Sequence, residues 1–153
     1  MAEERIKTFK EFWPYYLAEH RRPLCRVLHF VGTSGFLAAF VAGLIYLPQP
    51  TLLAFGLVAF ANGMAGRYIE PIRPARRLTA VTALAAMAIA PQVFIPGIVW
   101  AYGCAWVGHF KVENNRPATF DYPAWSLIGD FRMYGMMTLG HLWSGDSVAT
   151  GEA

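Results

Sequence analysis

Four histidines, His20, His29, His109 and His141, have the widest chemical reach of any side chains in this 153-residue sequence. Imidazole ligates iron, zinc, copper and nickel. His29 and His109 each border a long apolar run, and His20 lies shortly before the first of these runs. His109 and Glu113 are four residues apart, so one helix face presents both. Glu113 is therefore able to ligate a metal, to orient a histidine through a hydrogen bond, or to pair with Arg116. Gly108 would let a neighbouring helix or a ligand come close. His141, between Gly140 and Leu142, reads as a structural or interfacial group. The sequence has no HExxH, GxSxG, P-loop or GxGxxG motif. Four histidines are also too few for a two-metal, histidine-rich oxygenase. The most they can build is one metal held by histidines with open positions, the arrangement of non-haem Fe(II) oxygenases. Spacing does not choose iron over zinc.

The elements that must position these groups are written in the apolar residues. The chain is 56% hydrophobic and only 15% charged, against about 25% charged in an ordinary globular chain. Four apolar segments stand out, Val27 to Leu47, Thr51 to Gly66, Leu78 to Ala90 and Val93 to Phe110. A membrane-spanning helix needs about 20 such residues. The first and fourth segments meet this, and the second and third are short. Pro48-Gln49-Pro50 and Pro91-Gln92 punctuate the runs, because proline lacks the amide donor and restricts the residue before it. The expectation is an all-α integral membrane bundle of about four transmembrane helices in two hairpins. The order of basic segment, apolar run, Pro-Gln turn and second run occurs twice.

The charges agree with this topology. Arg5, Lys7, Lys10, Arg21, Arg22 and Arg26 precede the first span. Arg67, Arg73, Arg76 and Arg77 lie between the second and third, and Lys111, Arg116 and Arg132 follow the fourth. With four spans all three regions share one side, which the positive-inside rule makes cytoplasmic. His20, His29 and His109 then fall in one layer on that side. Ionisable groups at such depth mark functional sites. The expected location is a membrane with both termini cytoplasmic, reached without a cleaved leader. Ile6, Phe9, Phe12, Trp13, Tyr16 and Leu17 recur at helical spacing, which suits an amphipathic helix that Pro14 should kink or restart. The stretch from Phe120 to Trp143 reads as one or two short interfacial helices. The resulting plan is a single membrane domain over 1–153. It comprises an amphipathic segment 1–26, a bundle 27–110, an interfacial segment 111–143 and a disordered tail 144–153. A net charge of +3 is too small to propose nucleic acid as a partner, and Cys25 and Cys104 read as free thiols.

Two blocks carry a resemblance. The first is Phe12-Trp13-Pro14-Tyr15-Tyr16-Leu17-Ala18-Glu19-His20-Arg21-Arg22-Pro23, followed by Arg26-Val27-Leu28-His29-Phe30-Val31-Gly32-Thr33. The second is Trp106-Val107-Gly108-His109-Phe110 with Glu113, Asn114 and Arg116-Pro117-Ala118-Thr119-Phe120. It continues through Tyr122-Pro123 and Trp125-Ser126-Leu127 to Gly129-Asp130-Phe131-Arg132-Met133-Tyr134. These blocks resemble a family of small bacterial membrane proteins related to the fungal endoplasmic-reticulum 2-hydroxy fatty acid dioxygenase of phytosphingosine breakdown. The resemblance implies Fe(II) as cofactor, O2 as co-substrate and a 2-hydroxy long-chain fatty acid, or a related lipid, shortened by one carbon. It implies His20, His29 and His109 as iron ligands, with Glu113 as a catalytic carboxylate that is a fourth ligand or a ligand's partner. Such an acid chelates iron through its hydroxyl and carboxylate. Arg22, Arg26 or Arg116 would pair with that carboxylate. The competing expectations are a non-catalytic lipid-binding or scaffolding membrane protein and a zinc-dependent lipid hydrolase.

Overall fold

Residues 5–144 are described by a computed structural model of the chain, so the expected tail beyond Ser144 lies outside the described residues. Among them are six α-helices and no strand. α1 is Phe9–Ala18, α2 is Pro23–Tyr46, α3 is Pro48–Met64, α4 is Arg76–Ile89, α5 is Pro91–Val107 and α6 is Pro123–Thr138. Two of these helices continue into wider π-helical turns. α3 runs on through Ala65–Ile69, and α5 runs on through Gly108–Glu113.

The two expected hairpins are α2–α3 and α4–α5. Each is closed by one residue, Leu47 (φ −141°, ψ 58°) and Ala90 (φ −135°, ψ 67°), with a proline opening the next helix. Proline at the first helical position suits such an abrupt start, since its missing N–H would have no partner there. Three helices, two of them counted with their π-helical extensions, are long and apolar enough to cross a membrane, Pro23–Tyr46, Pro48–Ile69 and Pro91–Glu113. Their outward residues, such as Ile45, Leu53, Phe60 and Val99, are apolar and exposed, as lipid contact requires. The third expected span, Leu78 to Ala90, is α4, but its fourteen residues reach only about 21 Å, short of an apolar core of about 30 Å. Arg76 and Arg77 bound it at one end and Pro91 at the other.

α2 lies along α5 because small residues face each other. A Cβ on Gly32 would stand 3.0 Å from the Cys104 Cβ and 3.1 Å from the Ala101 carbonyl oxygen. The segments before α2, before α4 and after α5 gather at one end, where α1 and α6 cap the bundle. Phe12, Trp13, Tyr16 and Leu17 of α1 pack with Trp125, Met133 and Met137 of α6 into one buried cluster. α1 is thus the expected amphipathic helix, docked on the bundle end. Pro14 does not break it. The bond it forfeits is to Lys10, and both residues lie on the exposed face. The segment expected to be interfacial holds a short 3-10 turn, Ala118–Phe120, followed by α6.

A buried carboxylate fastens this cap. Glu70, just past the α3 extension, accepts from Arg5 at 2.9 Å and from the Ala124 N–H at 3.1 Å. Burial pushes its carboxyl up from 4.5 to about 7, against the pull of the Ala124 N–H and Arg5. Between those values the folded protein holds a proton that the unfolded chain has lost. The associated stability is complete below about 4.5 and is lost as the pH rises through about 7. Thermal unfolding in detergent is expected to shift to lower temperature from about pH 5 to about pH 8 through this group. Glu70→Gln should flatten that part of the profile, as a melting series on both proteins would show.

Candidate metal centre

His20 lies in the link between α1 and α2, His29 in the second turn of α2, and His109 in the π-helical extension of α5. The fold brings these three together. Their ring centroids are 4.5 Å (His20–His29), 4.6 Å (His20–His109) and 5.1 Å (His29–His109) apart. All three are buried, and one ligand nitrogen from each lies within 4.8 Å of the others. Gly108 makes this approach possible: a Cβ there would meet the Cys25 Sγ at 3.0 Å, so α5 touches α2 one turn before His29.

Each ring is held from outside through Nδ1. The His20 Nδ1 is 2.6 Å from the Tyr16 carbonyl oxygen. The His29 Nδ1 is 2.6 Å from the Asp130 Oδ1, and the His109 Nδ1 is 2.8 Å from the Asn115 Oδ1. A carbonyl, a carboxylate and a side-chain amide oxygen are all acceptors, so Nδ1 carries the hydrogen in each ring and Nε2 keeps its lone pair. The Nε2 atoms of His20 and His29 are buried with no hydrogen-bond partner. Buried polar atoms without partners are rare and call for an explanation. Inward-facing imidazole nitrogens, backed by acceptors on the outer ones, are the donor set of a histidine-ligated transition metal. The group could hold a metal ion, and its residues fit one.

The electrostatics agree. Burial, reinforced by His29 and His109, holds the His20 imidazole well below its ordinary range, so it is neutral at neutral pH. Burial alone would raise the Asp130 carboxyl, but His29 and the hydrogen bonds from His29 and Tyr16 outweigh it and hold the group below its usual value. Asp130 therefore remains a carboxylate. Its Oδ1 also accepts from the Tyr16 hydroxyl at 2.6 Å, which ties α1, α2 and α6 at one oxygen. Asn115 is fixed in turn, donating through Nδ2 to the Glu19 carbonyl at 2.8 Å and to its Oε2 at 2.7 Å. Asn114 before it takes the left-handed conformation (φ 57°) that ends the helix and reverses the chain.

The other expected site residues lie elsewhere. Glu113 is outside the histidine group. Its Oε1 accepts from the Arg22 N–H at 2.6 Å and so caps the N-terminus of α2. Arg26 is fully buried and donates to the carbonyls of Leu142, His20 and Arg21 at 2.7, 2.7 and 2.8 Å. Backbone carbonyls thus occupy the guanidinium expected to bind a substrate carboxylate. Arg116 is exposed, 3.6 Å from Asp121, and lies over the Phe120 ring. His141 is exposed beyond α6. Sequence reasoning missed Asp130, Asn115 and the Tyr16 carbonyl as partners of the rings. Asp130 does stand inside the second motif block, which was the available signal.

A cavity of about 350 Å³ opens beside the histidines. His29, His109 and Asp130 line its polar end with Thr33 and Thr119, and the rest of its wall is mostly apolar. Replacing His20, His29 or His109 by Ala is expected to abolish tight binding of Fe(II) or Zn(II). Asp130→Asn and Asn115→Ala should weaken it about 10–100-fold. His141→Ala should leave it within about twofold, since its side chain has no nitrogen in the group. Competition against a chromogenic chelator in detergent measures all of these.

Neither curated proteins nor solved structures give a match to this chain. Residues 6–142 match the family described as 2-hydroxy-palmitic acid dioxygenase Mpo1-like. That span takes in the three grouped histidines together with Tyr16, Asn115 and Asp130, and the chain belongs to the Mpo1-like 2-hydroxy-palmitic acid dioxygenase family.

Proposed function

We propose that this protein is an Fe(II)-dependent membrane dioxygenase that shortens a 2-hydroxy long-chain fatty acid by one carbon. The observation that carries the reading is the segregation of one cavity. Three histidines have their outer nitrogens tied, the inner nitrogens of His20 and His29 are unclaimed, and two of the three, His29 and His109, border the polar end of a pocket whose wall is otherwise mostly apolar. Family membership supplies the reaction class.

His20, His29 and His109 would hold the iron. Fe(II), when bound, supplies a Lewis acid that can also engage O2. The remaining work belongs to the side chains. Asp130 and Asn115 keep two rings in the tautomer that presents Nε2, and the Tyr16 carbonyl does so for His20. The acid's hydroxyl and carboxylate would sit at the histidine end, with the Thr33 and Thr119 hydroxyls on the adjoining wall. The acyl chain would lie along the apolar remainder, where it excludes water. Arg26 is committed to backbone and Arg116 does not line the cavity, so the proposal leaves the carboxylate to the metal and these hydroxyls. The chemistry balances: acid plus O2 gives the shorter acid, carbon dioxide and water. The substrate supplies as many electrons as O2 accepts, and no separate reductant is needed. The basic segments gathered at the histidine end support placing that end, with both termini, on the cytoplasmic side of a bacterial inner membrane.

The test is anaerobic reconstitution with Fe(II) in detergent, then 2-hydroxypalmitate with and without O2, read by mass spectrometry. The expected product is the acid one carbon shorter, formed only with O2 and without added reductant. No shortened acid, with cleavage of an added lipid ester by the zinc-loaded protein in the absence of O2, would replace the reading with a hydrolase. Absence of both metal and product would replace it with a non-catalytic lipid-binding protein.

A further inference from the structure

The apolar part of the cavity has a definite far end. Among its lining residues, Phe36 of α2, Phe55 of α3 and Phe94 of α5 lie farthest from the histidines along their helices. Phe94 is fifteen residues from His109, about 22 Å of helix axis. The Phe36 and Phe94 rings meet edge to face with centroids 5.8 Å apart, and Phe55 packs on Phe40 at 4.7 Å. Behind these rings the bundle is filled. Ala54, Ala86, Ala90 and Val93 are buried and pack with Phe94, Phe36 and Phe55 into one cluster. Phe36 has little room to retreat, because it already lies against Gly97, where a Cβ would stand 2.9 Å from its ring.

We propose that Phe36, Phe55 and Phe94 form a floor that sets the longest acyl chain the protein accepts. This rests on the reading above that the occupant is a 2-hydroxy fatty acid with its polar end at the histidines. With the head fixed there, chain length is measured against the floor. An acid within the limit fills the apolar space. A longer one must displace rings whose far sides are already packed, and overfilling a packed core is unfavourable. The bilayer itself cannot impose such a limit, since it accommodates each extra methylene as readily as the last.

The experiment reads retention and needs no turnover. The full-length protein in detergent, loaded with Fe(II) and kept free of O2, is given an equimolar mixture of 2-hydroxy acids from about 10 to about 22 carbons, and the retained acids are quantified by mass spectrometry. Wild type should show a cut-off, with retention falling about tenfold or more beyond it. Phe55→Ala and Phe36→Ala, at partly buried positions, should move the cut-off up by about two carbons. Val58→Phe, one turn nearer the histidines on the same wall, should move it down. Phe94 is avoided because it is 1% exposed and its truncation threatens folding. Size-exclusion profiles confirm that the variants remain folded. A cut-off that stays fixed in all variants, or wild type that retains every length equally, overturns the floor while leaving a 2-hydroxy acid as the ligand. Retention of no acid at any length overturns the floor and the proposed substrate together.

Discussion

The site depends on a buried guanidinium that never reaches it. Arg26 stands one helical turn before His29 on α2, and its N–H groups gather the carbonyls of His20, Arg21 and Leu142. His20 belongs to no helix. Its position relative to His29 therefore rests on this fork and on the Tyr16 carbonyl behind its ring. A cation with no solvent exposure is costly unless it is well hydrogen-bonded and has an opposite charge near it. The carbonyls provide the first, and the nearby Glu113 carboxylate, held on the first turn of the same helix, provides the second. Removing the guanidinium would release both the link that carries His20 and the chain beyond α6.

Much of this could be read from the residues, because membrane helices are local objects. Apolar runs, Pro48 and Pro91 mark where helices lie and where they reverse. The placement of basic residues then puts His20, His29 and His109 in one layer with no knowledge of packing. The length of α4 was legible too, in the distance between Arg77 and Pro91. What could not be read is which acceptor stands behind each imidazole. Asp130 is 101 residues from His29, and Asn115 reaches His109 only because the chain reverses at Asn114. Glu113 shows the limit of periodicity. Its four-residue spacing from His109 assumes an α-helix, but this segment is π-helical, and its carboxylate turns to the Arg22 N–H instead. Arg26 shows another limit: a cationic side chain in a sequence does not say whether it faces a ligand or the backbone of its own chain.

The two hairpins share more than their turns. Each second helix starts at a proline, ends in a π-helical stretch containing a glycine, and is followed or closed by a glutamate that accepts the N–H of another helix's start. Glu70 does this for Ala124 in α6, and Glu113 for Arg22 at α2. The wider π turn leaves backbone carbonyls free for outside donors. The Gly66 carbonyl, in the α3 extension, receives the Trp125 indole N–H at 2.8 Å. The same local device therefore fastens the cap in one hairpin and positions a histidine in the other.

The single-residue links at Leu47 and Ala90 carry a consequence for traffic. A loop of one residue leaves little room for polar groups, and no Asp, Glu, Lys or Arg lies in 27–66 or 78–110, so only neutral side chains such as Gln49 and Gln92 stand exposed beside the links. The molecule is therefore blind at that pole. A charged molecule meets charged side chains only at the end where α1, α6 and the basic segments gather. Such sidedness follows from where prolines allow a helix to begin.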